Sequence, residues 1–435
     1  METASLLPVG LLPPPGLFAV LCWPFLVAVL LWASGRIGQG RGLALAGAAM
    51  SLFALVFFPN NLPIVQTVAI GLESCTPLLL FVSAPLVNAP SGGQVELTRA
   101  EAALAERLPF LVTGCGLMAL CVQSVLAVVI CLGAGAVVLA WWDGRGPRRA
   151  RSAWDMVRLR LCGVCLSALG AALLQALPLT PDSQDGATLG AIMLVVGLGM
   201  MAGLGETNIL VPAFALLETG LRFGALFLLL QLAVSPLTRE LILLAGLAGL
   251  WLTVLGSGRR SAPLLSLLVG LGAVAAGSGQ ENALLILFCA ALLCCALQRL
   301  LAPLSIETGN AKVGGTQLVE WCALPLLVVI LIMLAQVLSW VMTVLAVGAL
   351  AWDLRTLTLQ GLSLSWLGAR MAAPDRRLAL GLGVGLLALA LTAAFVPGSS
   401  EIPGEEEDPD VSGRLILSPL PESLRSPAVL GEREA

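Results

Sequence analysis

Apolar runs of 14 to 26 residues, separated by short polar breaks, recur along the chain as far as residue 396. The pattern predicts fourteen spans, at 16–33, 42–58, 64–87, 108–122, 124–142, 161–177, 188–204, 209–234, 241–256, 263–276, 282–301, 319–334, 336–352 and 378–396. Runs of this length, nearly free of charge, suit helices that cross a bilayer rather than core strands. The run at 16–33 has no basic region before it and is followed by another apolar run, so it reads as a retained span.

The polar intervals differ in kind. Residues 88–107 form a mixed segment before a tight pair of spans, and a basic loop carrying Arg145, Arg148, Arg149, Arg151, Arg158 and Arg160 follows that pair. The stretch TLTLQGLSLSWLGARM, between Asp353 and Arg377, reads as an amphipathic helix in the membrane plane or as a loop packed on the bundle. From residue 397 the chain is rich in Pro, Gly and acid. Such a segment buries too little apolar surface to offset its ordering entropy, so a disordered tail is expected.

Arg and Lys in short loops set orientation. With fourteen spans, the 145–160 loop, Arg36/Arg41, Arg259/Arg260, Arg299 with Lys312, and Arg355–Arg377 all fall on one side, the cytoplasmic one. Both termini are then outside the cytoplasm, with the protein in the cell's inner (plasma) membrane.

Composition sharpens this picture. Hydrophobic residues make up 58% and charged residues 11%, whereas a soluble domain carries about 25% charge. The class is therefore an all-α polytopic membrane protein. Histidine and tyrosine are absent, which excludes histidine metal sites and Ser-His-Asp or Cys-His catalysis. Most of the eleven cysteines lie in apolar runs, where a thiol acts as a small hydrophobe. Cys162 and Cys165 have a redox-like spacing but no second ligand pair. No cofactor or metal is expected.

Ionisable groups inside spans are costly and mark functional candidates. They are Glu73 in the third span, Glu206 at the break after the seventh, and Glu218 with Arg222 in the eighth. Glu320 and Asp353 sit near span ends, and the single lysine, Lys312, is in a loop. Glu218 and Arg222 are four apart and share a helix face, so they pair either to let the helix insert or as part of an ion relay. The stretch GLGMMAGLGETNILVP (197–212) ends a span and breaks at Glu206. It reads as a discontinuous helix lining a wet cavity, or as an ordinary turn with Thr207 or Asn208 capping the next helix.

Several segments also match, in order, a family pattern. AIGLESCTPLLLF (69–81) resembles "GLDGLSLPLLLL" at the third span, and RARSAWDMVRLRLCGVCLSALGAALL (149–174) resembles an Ala-rich helix after a basic loop. GLGMMAGL (197–204) resembles "GLGLKAGL", NILVP (208–212) "HVWLP", and ALLETGLRFGALFLLLQL (215–232) "ALLSGVLVKTGLYGLLRL". The segments 243–272 and 283–297 follow in place. By these the chain resembles the antiporter-like proton-translocating subunits of respiratory complex I, a family shared with Mrp antiporters and membrane-bound hydrogenases.

That resemblance implies two inverted five-helix repeats with broken helices. It divides the chain into a three-helix region (1–107), two repeats (108–234 and 235–352), a segment with the interfacial stretch and last span (353–396), and the tail (397–435). It implies a subunit that is not catalytic alone, set in an NADH-quinone oxidoreductase-like or hydrogenase-like complex. Its partners would be the lipid bilayer, other membrane subunits and a soluble module, with no nucleic acid. The family's charged axis is nearly erased. Gly133 falls at the glutamate of span 5, Met201 at the lysine of span 7, Asn208 at a histidine and Leu293 near the lysine of span 11. Arg222 replaces the span-8 lysine, and an arginine holds its proton. The expectation is a degenerate member that kept the scaffold and lost the pump. The alternatives are a self-standing ion or solute transporter, or an active proton-translocating subunit using the remaining acids.

Overall fold

The computed structural model describes residues 15–34, 38–57, 62–84, 99–122, 124–144, 150–176, 184–207, 212–233, 236–257, 263–301, 314–360 and 373–395. Every element among them is helical. In order they are α1 (Pro15–Ser34), α2 (Gly40–Phe57), α3 (Ile64–Ser74), α4 (Thr76–Val82), α5 (Arg99–Cys121), α6 (Val125–Asp143), α7 (Ala150–Ala176) and α8 (Gln184–Ala202). There follow α9 (Pro212–Leu232), α10 (Pro236–Gly256), α11 (Leu264–Gly277), α12 (Glu281–Leu301), α13 (Gly314–Ala335), α14 (Trp340–Gln360) and α15 (Ala373–Phe395). α3 and α4 are separated only by Cys75 and make one interrupted rod. Fourteen rods therefore stand where the apolar pattern places fourteen spans. Among the described residues, nine are long and apolar enough to cross a membrane.

Three boundaries differ most from the sequence reading, each for a local reason. α5 begins at Arg99, because the segment before Leu108 holds good helix formers such as Ala102, Ala103, Leu104 and Glu106. α7 begins at Ala150, so Arg151, Arg158 and Arg160 are helical rather than in a loop. α14 runs past Asp353 to Gln360, which takes up the start of the expected interfacial stretch. The rest of that stretch up to residue 372, Asn208 and the tail lie outside the described residues.

α9 is the hub. It packs against α4, α5, α6, α8, α11 and α12, and 89% of its apolar span is buried, against 33% for α2 and α7. The outer rods expose large apolar side chains such as Trp32, Val56, Ile64 and Trp340. That periphery is compatible with hydrocarbon and costly in water. α11 has 14 residues, all buried. At 1.5 Å per residue it extends about 21 Å, short of the bilayer core.

Small residues let the rods approach closely, as is usual in membranes. A Cβ at Gly170 of α7 would lie 2.6 Å from the Gly190 carbonyl oxygen of α8, and one at Gly163 would lie 2.7 Å from that of Gly197. These contacts draw α7 and α8 together, and the candidate site stands at one end of the pair.

Candidate functional site

The buried face of α7 sets up the site. Ala153, Met156, Val157, Arg160, Gly163, Ser167, Gly170 and Ala171 are all buried, a helical stripe with an arginine in it. Arg151, Trp154, Asp155 and Arg158 point outward. Arg158 makes only an exposed 3.6 Å pair with Asp155, worth little in water.

Opposite that stripe, α8 ends in two glycines with positive φ, Gly203 (+76°) and Gly205 (+77°). The Gly203 amide donates to the Met200 carbonyl (3.1 Å) and the Leu204 amide to Gly199 (3.0 Å). This is a Schellman cap, which needs a left-handed residue at the position Gly203 occupies. The Glu206 amide then donates to the Gly203 carbonyl (3.2 Å), and this tight fold turns the Glu206 side chain inward.

Four charged side chains meet there. Arg160 donates through Nη2 to Glu206 Oε2 (2.9 Å) and Glu218 Oε1 (2.6 Å). Arg222 donates through Nη2 to Glu206 Oε2 (2.6 Å) and Glu218 Oε2 (3.1 Å). No side chain of the four exceeds 5% exposure. Two guanidinium groups against two carboxylates leave the cluster formally neutral. Arg160 also donates through Nη1 to the carbonyls of Met200 (2.7 Å) and Met201. A cation thus sits at the negative end of α8, where the helix dipole favours it.

The cluster is not saturated. Glu206 Oε1 and Arg222 Nε and Nη1 have no hydrogen-bond partner among the described residues. A cavity of about 10 Å3 beside it is lined by Leu132, Ala136, Arg160, Met201, Glu218 and Leu221, room for about one water. Chemically the arrangement can clamp α7, α8 and α9 together and hold a fixed field.

The structure therefore brings Glu206, Glu218 and Arg222 together, and adds Arg160. Glu206, just past the end of α8, is buried. Arg160 was hidden in a basic run that reads as a loop. The signal that could have found it is the spacing Ala153, Met156, Val157, Arg160, which continues the apolar stripe.

Glu73 lies apart. It is fully buried near the end of α3, against Gly220 of α9 and Gly116 of α5. Gly220 is two residues from both Glu218 and Arg222, about 200° around the helix. Glu73 therefore faces the side of α9 opposite to the cluster.

The other singled-out positions carry no charge to the site. Met201 is buried, with its sulfur 3.8 Å from Ser167 Oγ. Gly133 on α6 packs against Val164 of α7. Leu293 on α12 is near Gly385 of α15, whose Cβ would lie 3.8 Å from Leu293 Cδ1.

No protein-family model and no curated protein matches the chain. Its fold matches solved structures, among them one chain of a structure of respiratory complex I from Thermus thermophilus with bound Aureothin. The TM-score is 0.62 at 18% identity, covering 87% of this chain and 98% of that one. The two chains share a fold.

Proposed function

We propose that the chain is a membrane subunit of a complex I-type assembly that holds neighbouring subunits in place without a lysine relay of its own. The observation that carries this reading is the neutral Arg160–Glu206–Glu218–Arg222 cluster. A proton wire needs groups that are charged and neutral in turn. Here both bases are arginines, which keep their protons, and the position resembling the family's span-7 lysine is Met201. The fold likeness, extending over nearly all of a complex I chain, supports the setting. In this reading the partners are lipid, other membrane subunits and a soluble module, and both ends of the chain lie outside the cytoplasm.

A second reading, a self-standing secondary ion or solute transporter or an active proton-translocating subunit using the remaining acids, rests on Glu73, a buried carboxyl with no guanidinium beside it among the described residues. Purification of the tagged chain from native membranes in mild detergent separates the two. Migration in one stable particle with other respiratory-type membrane subunits supports the scaffold. Migration as an isolated chain supports the transporter.

A further inference from the structure

We infer that Glu73 is the binding site of one exchangeable monovalent cation, a proton or Na+, held on its carboxyl between α3, α5 and α9. Glu73 is 0% exposed. Its Oε2 accepts a 3.2 Å hydrogen bond from Thr76 Oγ1, and its Oε1 has no hydrogen-bond partner among the described residues. An ionised carboxyl buried with one neutral donor carries an uncompensated charge, which proteins avoid by neutralising or pairing the group.

Among the described residues, no fixed cation supplies that compensation. Arg222 and Arg160 are engaged on the opposite face of α9. The other carboxylates and guanidinium groups described on the surrounding helices lie away from Glu73 along the chain: Arg41 in the first turn of α2, Glu106 and Arg107 at least nine residues before Gly116 on α5, and Glu281 and Arg299 in the first and last turns of α12. α4 carries none. The closer titratable neighbours are thiols: Cys75, which adjoins the Glu73 carboxyl, and Cys115, next to Gly116 in the chain.

The surroundings are shaped to the carboxyl. A Cβ at Gly116 would lie 2.5 Å from Oε1, and one at Gly220 would overlap the carboxyl itself. Two helices thus give up their side chains where this group sits. Thr113, one turn from Gly116 on the same face of α5, is also fully buried with its hydroxyl unbonded among the described residues. The two carboxyl oxygens and the Thr76 hydroxyl are hard-oxygen donors of the kind a small cation takes. A proton requires Oε1 alone. One site is not a path, so the inference stands whether or not the chain is a scaffold subunit.

The test uses the full chain in lipid nanodiscs, or the intact assembly, as wild type and Glu73→Gln. If the cation is a proton, the infrared spectrum of the wild type contains an un-ionised carboxylic acid band that shifts in D2O and is lost in Glu73→Gln. If it is Na+, NaCl raises the unfolding temperature in a saturating manner relative to choline chloride at equal ionic strength, and Glu73→Gln loses that rise. Absence of both signals in the wild type overturns the proposal. Thr76→Val provides the check if Glu73→Gln fails to fold. Loss of its hydrogen bond shifts the acid band or weakens the Na+ response, and an unchanged signal excludes Glu73 as its source. Co-purification of partners bears on the scaffold reading only, so the two failures are distinguishable.

Discussion

Arg160 Nη2 on α7 lies 2.6 Å from Glu218 Oε1 on α9, a buried pair joining residues 58 apart in sequence. With Glu206 and Arg222 it closes a neutral square that ties together α7, the end of α8 and α9. Its four members depend on one another, because removing any one leaves net charge in the interior.

Arg160→Met is therefore expected to cost about 3–5 kcal/mol, the range for breaking a buried ion pair from one side. Arg158→Met, at a side chain 68% exposed, is expected to stay within about 0.5 kcal/mol. Unfolding of both variants in matched detergent, followed by circular dichroism, measures the contrast.

The combination Glu218→Leu with Arg222→Met should be milder than either change alone. Together they leave Arg160 and Glu206 as a neutral 2.9 Å pair, and apolar replacement of a buried ion pair is often tolerated. A double-mutant cycle should return a coupling of about 1–3 kcal/mol. Zero coupling would dissolve the square.

Gly203→Ala tests whether the turn after α8 is shaped by the cluster. Its φ is +76°, and a Cβ there would lie 2.6 Å from Arg160 Nη2 and 2.7 Å from Glu206 Oε2. Gly38→Ala has the same type of backbone penalty at φ +96° but nothing within 4 Å. Left-handed strain costs about 1–2 kcal/mol in each, so the excess loss in Gly203→Ala, read by thermal unfolding, reports the damaged ion pairs.

Gly170→Ala should force α7 from α8, since its Cβ would lie 2.6 Å from both Gly190 O and Leu194 N, which are backbone atoms. Overpacking of this kind costs about 1–3 kcal/mol. Gly381→Ala on α15 meets nothing within 4 Å and should be neutral or stabilising by up to about 1 kcal/mol. Equal effects in a stability assay would contradict the packing of α7 on α8.

The fourteen rods were legible because lipid imposes a length and polarity rule on each segment separately. The Glu218–Arg222 pair was legible for a similar reason, since i,i+4 spacing fixes a shared face. What could not be read was whatever depends on distant chain. Glu206 looked equally like a turn residue, because its partner Arg160 lies 46 positions earlier. Arg160 itself was masked by neighbouring arginines that suggested a loop, although the apolar positions beside it kept a helical period. Likewise, that Glu73 stands away from the other three follows from which face of α9 it meets, and nothing in AIGLESCTPLLLF reveals that.

In the proposed function the charges around Met201 form a fixed, neutral clamp rather than a proton route. The most direct measurement is proton flux into dye-loaded proteoliposomes carrying the purified chain, under an imposed pH gradient and membrane potential. With a fixed clamp, flux equals that of protein-free liposomes and is unchanged in folded Glu206→Gln and Glu218→Gln variants. Flux above that level in the wild type that falls when Glu206 or Glu218 is replaced would contradict it.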